Sequence, residues 1–254
     1  KMNKLYTYLY PTLTPIRHFS LITHYIKSEP KNLKLIVTEG DGPDKARLVD
    51  FYSQTYLRDD PVVRAAGISD LTELRQFLDT SLKSLHSVLL TDREGTTVMA
   101  AASGGPVTYT TAAQMRLFAE NDMKDDRSKR LVHLWASVTS ESDLLNRLHV
   151  PAFWDISYLS TAPQMRRYGL ARFLLAQHRR LASKLGYPVL CLECTNHCLA
   201  RVAQKMGFHG MAGRSLDSYL DPSGESWISA HPHLQVQVFY RMLGGKIESD
   251  FRLQ

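Results

Sequence analysis

Leu159-Ser160-Thr161-Ala162-Pro163-Gln164-Met165-Arg166-Arg167-Tyr168-Gly169-Leu170-Ala171-Arg172 joins one regular element to the next. Its first residues close the alternating run Trp154-Asp155-Ile156-Ser157-Tyr158-Leu159-Ser160, which reads as a strand. From Gly169 the apolar residues Leu170, Phe173, Leu174, Leu175, Leu181 and Leu185 recur at helical spacing, and Gly186 is the stop signal. A strand, a short loop and a long helix bring unpaired backbone N–H groups and the positive end of a helix dipole to one spot. Such a spot suits phosphate. Gly169 allows close approach of the backbone to a ligand. Ala171 keeps the next turn small, and Arg166, Arg167 and Arg172 add positive charge.

The pattern continues on both sides. Pro188-Val189-Leu190-Cys191-Leu192-Glu193-Cys194 reads as a second strand, followed by a short helix to Met206 that Gly207 closes. A strand–helix–strand unit over residues 154–194 makes these two strands parallel. Upstream, Lys34-Leu35-Ile36-Val37-Thr38 is a strand that ends at Gly40-Asp41-Gly42-Pro43. A helix then carries Leu48, Val49, Phe51, Tyr52 and Tyr56 and stops at Asp59-Asp60-Pro61. A second helix follows Ser69-Asp70. Residues 87–91 and 97–102 form a hairpin around Asp92-Arg93-Glu94-Gly95, with Gly104-Gly105-Pro106 expected to end it. Residues 112–150 read as irregular helix. Two last strands are expected at residues 216–219 and 235–242. There are no internal repeats and no linker to a second domain. Residues 1–32 stand apart as an extension of unknown role before one domain spanning 33–254. Pro11 and Pro15 interrupt any amphipathic transit helix in the extension.

Composition narrows the class. The chain has 254 residues, 44% hydrophobic and 22% charged, which excludes disordered and collagen-like proteins. No apolar run reaches about 20 residues, so no membrane-spanning helix is expected. Three Cys do not make a disulfide framework; they read as free thiols in a reducing, cytoplasmic setting. The net charge is +6, from 31 Lys+Arg against 25 Asp+Glu. The basic residues are scattered without interleaved aromatics, so nucleic acid is not the expected partner. A phosphate-bearing small molecule fits the same charge.

Arg166-Arg167-Tyr168-Gly169-Leu170-Ala171 resembles the pyrophosphate loop of the GCN5-related N-acetyltransferase (GNAT) superfamily, [Gln/Arg]-x-x-Gly-x-[Gly/Ala]. The strand and helix closed by Gly207-Phe208 resemble its next landmark. The resemblance implies an α/β fold: a mixed, mostly antiparallel sheet splayed between two parallel strands, with helices on both faces. It implies acetyl-CoA as co-substrate and no metal. The diphosphate would be held by Arg166, Arg167, Tyr168, Gly169, Leu170, Ala171 and Arg172. The pantetheine arm would lie along Leu159, Ser160 and Thr161, with Asn196 in reach. Two positions depart from the pattern. Arg167 stands where many members have glycine, and Ala203 stands where many have the tyrosine that protonates the departing thiolate.

A narrower resemblance is to the insect-type arylalkylamine (dopamine) N-acetyltransferases. Phe51 to Pro61 is similar to their Phe-Phe-x-x-Glu-Pro segment, Cys194 to Val202 to their Cys-Ser-Ser-His-Tyr-Ser-Ala-Arg-Val segment, and Ala230 to Val238 to their late Pro-His strand. This implies Asp60 as general base, one carbon shorter than the family glutamate, with Thr195 and His233 as its catalytic companions. Leu199 replaces a second serine. The implied reaction is acetylation of a small primary amine, such as dopamine, tyramine, octopamine or serotonin, by direct attack in a ternary complex. The alternatives are another acceptor (amino acid, polyamine or protein lysine) and a non-catalytic acyl-CoA-binding module. Taken alone, Asp60 before Pro61 also reads as a helix cap. Cys191, Cys194, His197 and Cys198 lack zinc-site spacing, because strand residues three apart face opposite ways.

Overall fold

Short runs rich in Val, Leu and Ala form the sheet, and amphipathic segments between them supply the helices that cover it. In a computed structural model, residues 24–28, 31–217, 219–221, 224, 226 and 234–244 are described. The strands are β1 (His24–Ser28), β2 (Lys31–Glu39), β3 (His86–Thr91), β4 (Val98–Val107), β5 (Phe153–Thr161), β6 (Val189–Cys194), β7 (His209–Ser215) and β8 (Gln235–Met242). They form one sheet in the order β1-β2-β3-β4-β5-β6-β8-β7. Every neighbouring pair is antiparallel except β5 and β6, which run parallel. This is the mixed, mostly antiparallel sheet expected from the sequence.

The helices are α1 (Lys45–Tyr52), α2 (Pro61–Ala65), α3 (Thr72–Leu82), α4 (Thr111–Asp122), α5 (Asp126–Ser142), α6 (Leu144–Arg147), α7 (Leu170–Lys184) and α8 (His197–Lys205). They lie on both faces of the sheet. Trp154 and Asp155 are consecutive on β5, so their side chains leave opposite faces. On one face, the fully buried Trp154 indole donates to His178 Nδ1 of α7 at 3.3 Å. On the other, Asp155 is aligned with Cys191, two residues before Glu193, whose carboxyl accepts from Thr139 of α5 at 3.3 Å.

Strand β5 opens the site through two changes of pairing. Along β4 its partners run from Val107↔Phe153 to Ala100↔Thr161, but along β6 they stop at Ile156↔Leu192. Beyond Ile156 the two parallel strands part. At the same level β5 carries one extra residue: Ser103 and Gly105 are two apart on β4, whereas their partners Tyr158 and Asp155 are three apart. The bulge therefore turns Asp155 and Tyr158 to the same face.

Several sequence expectations shift. Gly104-Gly105-Pro106 lies inside β4 instead of ending it. A Cβ on Gly104 would come within 2.3 Å of the Asp155 carbonyl oxygen, so the glycine is there for close strand approach. The helix before Asp60 ends at Tyr52 and continues as a wider π turn through Ser53–Leu57. The strand expected at 216–219 lies at His209–Ser215. Gly210 and Gly213 dilute its β signal, while Leu216 and Tyr219 form a turn. His24–Ser28, within the stretch read as an extension, pairs with β2.

Candidate functional site

The N-terminus of α7 is built for an anion. Gly169 takes a left-handed conformation, φ 75°, and no side chain caps the helix it opens. Around the position of its missing Cβ there is nothing within 4 Å. The first amides of α7 therefore face open space with the positive end of the dipole. Arg167 also has a positive φ, 71°. That explains why the motif favours glycine there: an L-residue pays a steric penalty in this region.

Next to this turn lies a cavity of about 850 Å³. Leu159, Ser160, Thr161, Arg166, Arg167, Gly169, Leu170, Ala171, Arg172 and Asn196 all line it. Tyr168, in contrast, is half exposed and outside the cavity wall. Ser157 to Thr161 show the cavity a strand edge that β6 does not cover. A linear amide-bearing chain could add there as a further strand. The site thus fits the acetyl-CoA implied by the sequence: amides and arginines for the diphosphate, strand edge for the arm. Asn196 has a structural duty as well, since its side chain caps α8 by accepting from the Leu199 amide at 2.9 Å.

Arg166 is held from two sides. It donates to Asp59 Oδ2 at 2.6 Å and to the Thr161 carbonyl at 3.4 Å. Burial pushes the Asp59 carboxyl up, but the hydrogen bonds from Arg166 and Arg58 outweigh it and hold the group below its ordinary value. The contact fixes the turn before Asp60 against the α7 loop.

Asp60 and Thr195 meet in the cavity wall. Asp60 caps α2, Oδ1 accepting from the amides of Val62 at 2.8 Å and Val63 at 3.2 Å. Its other oxygen accepts from Thr195 Oγ1 at 2.6 Å. The carboxyl is buried, and burial raises its pKa above the usual carboxylate value. The Thr195, Val63 and Val62 hydrogen bonds pull the other way without cancelling the rise. The capping role read from the Asp-Pro pair and the contact with Thr195 coexist in one side chain. His233 lies outside the described residues.

The wall also holds Tyr56, from the aromatic helix that the sequence places beside Asp60, and three residues that the sequence did not single out: Asp155, Tyr158 and Glu193. Tyr56 packs edge-on to Tyr158 with ring centroids 5.4 Å apart. Burial, followed by the fields of Asp60, Tyr158, Glu193 and Asp155, keeps its hydroxyl neutral well beyond the usual range. Asp155 accepts from Ser157 at 2.9 Å. Glu193 is raised by burial and then by Asp155 beside it. The available signal was positional and covered Glu193 alone: it is next to last on β6, and open sheets bind ligands at the carboxyl ends of parallel strands, whereas Asp155 is third on β5.

Ala203 is fully buried and offers no proton. Cys191 and Cys194 are buried free thiols, and Cys198 is exposed. Among the described residues, no three His, Cys, Asp or Glu stand close enough to hold a metal ion, and no helix is long and apolar enough to cross a membrane.

No protein-family model matches the sequence, and no curated protein matches it. Solved structures do. A mosquito arylalkylamine N-acetyltransferase like 5b superposes with TM-score 0.72 at 15% identity, covering 82% of this chain and 99% of that one. Arylalkylamine N-acetyltransferase 2 from Aedes aegypti gives 0.70 at 20% identity, with the same coverage. A Drosophila melanogaster polyamine N-acetyltransferase, described as forming N-acetylagmatine, gives 0.69 at 22% identity, again over 82% and 99%. Splayed parallel strands, a bulge where they part and an uncapped helix after a Gly-containing loop, together with these superpositions, give the chain the GNAT fold.

Proposed function

We propose that this protein transfers the acetyl group of acetyl-CoA to a small primary amine by direct attack in a ternary complex. One observation carries the reading: the Thr195–Asp60 hydrogen bond lies in the wall of the same cavity as the uncapped start of α7. A base and an anion cradle at two places along one cleft are what acetyl transfer to an amine requires.

A primary amine is mostly protonated at neutral pH and must lose a proton before it attacks. Asp60, with its raised pKa, accepts that proton directly or through water. The amine nitrogen then bonds to the thioester carbonyl carbon. Main-chain amides of β5 near Leu159 polarise the carbonyl oxygen. As the adduct collapses, the C–S bond breaks and the second amine proton leaves with the thiol. Thr195 orients the Asp60 carboxyl, and His233 is assigned a supporting role on the sequence resemblance.

Tyr56, Phe77, Trp135 and Tyr158 give the acceptor end of the cavity aromatic walls. These suit an arylalkylamine such as dopamine, tyramine, octopamine or serotonin. Free thiols at all three cysteines suit a reducing compartment, the cytoplasm in this proposal.

The test is calorimetric titration with acetyl-CoA together with thiol release over an amine panel. Binding with turnover on a free amine is expected. Binding without turnover on any amine, amino acid or peptide lysine would leave an acyl-CoA-binding module. Failure to bind acetyl-CoA would reject the reading.

A further inference from the structure

Departure of the thiol calls for a proton at the apex of the wedge between β5 and β6. The last parallel pair is Ile156↔Leu192. Ser157 and Glu193 are therefore the first residues on either side of the opening, and both line the cavity. An arm added along the free edge of β5 from Thr161 to Ser157, roughly 13 Å, brings its sulfur end to that apex. A thiolate released there, beside Asp155 and out of bulk water, is costly. Glu193 and Thr195 are two residues apart, on one side of an extended chain and roughly 7 Å from each other. Thr195 holds Asp60. The attacking nitrogen and the leaving sulfur hang from one carbon, and each catalytic group must come within about 3 Å of its own atom. A base and an acid set apart on one wall meet that requirement.

The hydrogen bonds allot the proton to Glu193. Asp155 accepts from the Ser157 hydroxyl at 2.9 Å and also from the Cys191 thiol and the Ile156 amide, three donors that favour its charge. Among the described residues Glu193 has Thr139 alone, at 3.3 Å, and the single hydroxyl hydrogen of Thr139 also faces the Trp135 carbonyl at 3.0 Å. Two neighbouring acids do not ionise together, so the proton stays on the one with fewer donors. Burial and then the charge of Asp155 raise Glu193 in the same sense. Other groups of the wall serve less well. Burial and the neighbouring acids push the Tyr56 hydroxyl far above its ordinary value, so it holds its proton more tightly than a thiol, ordinarily near about 8.5. Asp60 faces three donors, Val62, Val63 and Thr195, a setting for a proton acceptor.

Resting on the proposed acetyl transfer, we infer that Glu193 is the general acid of the reaction, a catalytic residue that hands its proton to the departing sulfur. As the tetrahedral adduct collapses, the C–S electron pair goes to sulfur, which takes the Glu193 proton and leaves as free thiol. The Glu193 carboxylate then takes the surplus proton on the new amide nitrogen. Glu193 ends the cycle as it began, and in net terms the second amine proton has left with the thiol. Asp60 keeps the first amine proton and returns it to water as the products leave.

The test uses the full chain with its Glu193→Gln and Glu193→Asp variants. On the best amine of the panel at pH 7, kcat should fall at least about tenfold in E193Q, while KM for the amine and calorimetric acetyl-CoA affinity stay within a few-fold. E193D, which keeps the carboxyl, should recover part of the loss. The parent kcat should decline at alkaline pH as Glu193 ionises, and that decline should be absent from E193Q. Infrared difference spectra give a readout without turnover. At pH 7 the parent should show a protonated-carboxyl band that E193Q lacks, and the band should shift on binding CoA but not on binding CoA without its sulfur. Parent-like kcat in E193Q, or a band indifferent to the sulfur, overturns the inference and leaves acetyl transfer with Asp60 as base standing. No thiol release by the parent with any amine removes both.

Discussion

Thr195 Oγ1 donates a 2.6 Å hydrogen bond to Asp60 Oδ2, joining residues 135 positions apart in sequence. The bond favours the ionised carboxylate, while burial favours the protonated acid and prevails. Thr195 therefore tunes the Asp60 carboxyl downward from where burial alone would put it. Thr195→Val should move the acidic limb of the pH profile of kcat/KM to higher pH, and Thr195→Ser should restore it. A limb that stays in place in T195V would take Thr195 out of the proton pathway.

Arg167 sits at φ 71° in the loop before α7, a conformation that costs an L-residue about 1–2 kcal/mol. Arg167→Gly removes that strain but loosens the unfolded chain. Thermal denaturation should show equal or higher stability for R167G. Calorimetry should show acetyl-CoA binding weakened a few-fold by the lost charge. A clear drop in stability would mean that the arginine makes a contact that outweighs its backbone strain.

His178 is fully buried, with its rings of partners complete: Nδ1 accepts from Trp154 and Nε2 donates to the Ala102 carbonyl at 3.0 Å. Burial lowers its pKa to about 4. The unfolded chain binds a proton near pH 6.5, where the folded one does not. Stability should thus fall as pH drops from about 6.5 towards 4. In urea titrations, His178→Leu should flatten that portion of the pH dependence. It should also cost about 1–3 kcal/mol at pH 7, because the Trp154 and Ala102 groups lose their partner. An unchanged slope in H178L would contradict the assignment.

Asp155 and Glu193 act in the opposite sense. Both carboxyls are raised above their ordinary values by burial, Glu193 also by the charge of Asp155. Their folded forms hold protons that the unfolded chain has released. The pair therefore lowers stability progressively as pH rises from the usual carboxylate range through the raised values. At pH 8 the unliganded Glu193→Gln protein should melt at a higher temperature than the parent, with the difference vanishing near pH 4. A lower melting temperature in E193Q at pH 8 would show that the pair stabilises the fold.

Gly104 tests the opening of the sheet. A Cβ there would collide with the Asp155 carbonyl oxygen and approach the Trp154 indole nitrogen to 3.0 Å. Gly104→Ala should destabilise the protein by about 2 kcal/mol or more, since neither backbone can yield cheaply. A neutral effect in denaturant titrations would mean that β4 and β5 can part without cost.

The sequence made legible what depends on local pattern. Leu170 to Leu185 repeats with helical period, Val189 to Cys194 is a bounded apolar run, and Gly169 and Gly207 sit where backbone conformation calls for glycine. The loop read as an anion cradle followed from those elements. Asp60 and Thr195 were named through short motifs, but only the tertiary fold brings them into contact. What stayed hidden depends on register. One extra residue between Asp155 and Tyr158 changes which side chains share a face, and nothing in the alternation of that strand discloses it. The pairing of Asp155 with Cys191, which brings Glu193 to the same wall, is likewise a property of two strands together. Gly104-Gly105-Pro106 misled for a related reason: its turn-like composition serves strand contact.

The most direct measurement of the central claim is thiol release from acetyl-CoA at pH 7 by the parent chain and by Asp60→Asn, on the best amine of the panel, alongside calorimetric acetyl-CoA binding. Asn caps helices about as well as Asp, so α2 should persist. The account predicts a fall in kcat of about 10²-fold or more, the contribution of a general base, with acetyl-CoA affinity within a few-fold of the parent. Parent-like turnover in D60N would contradict it.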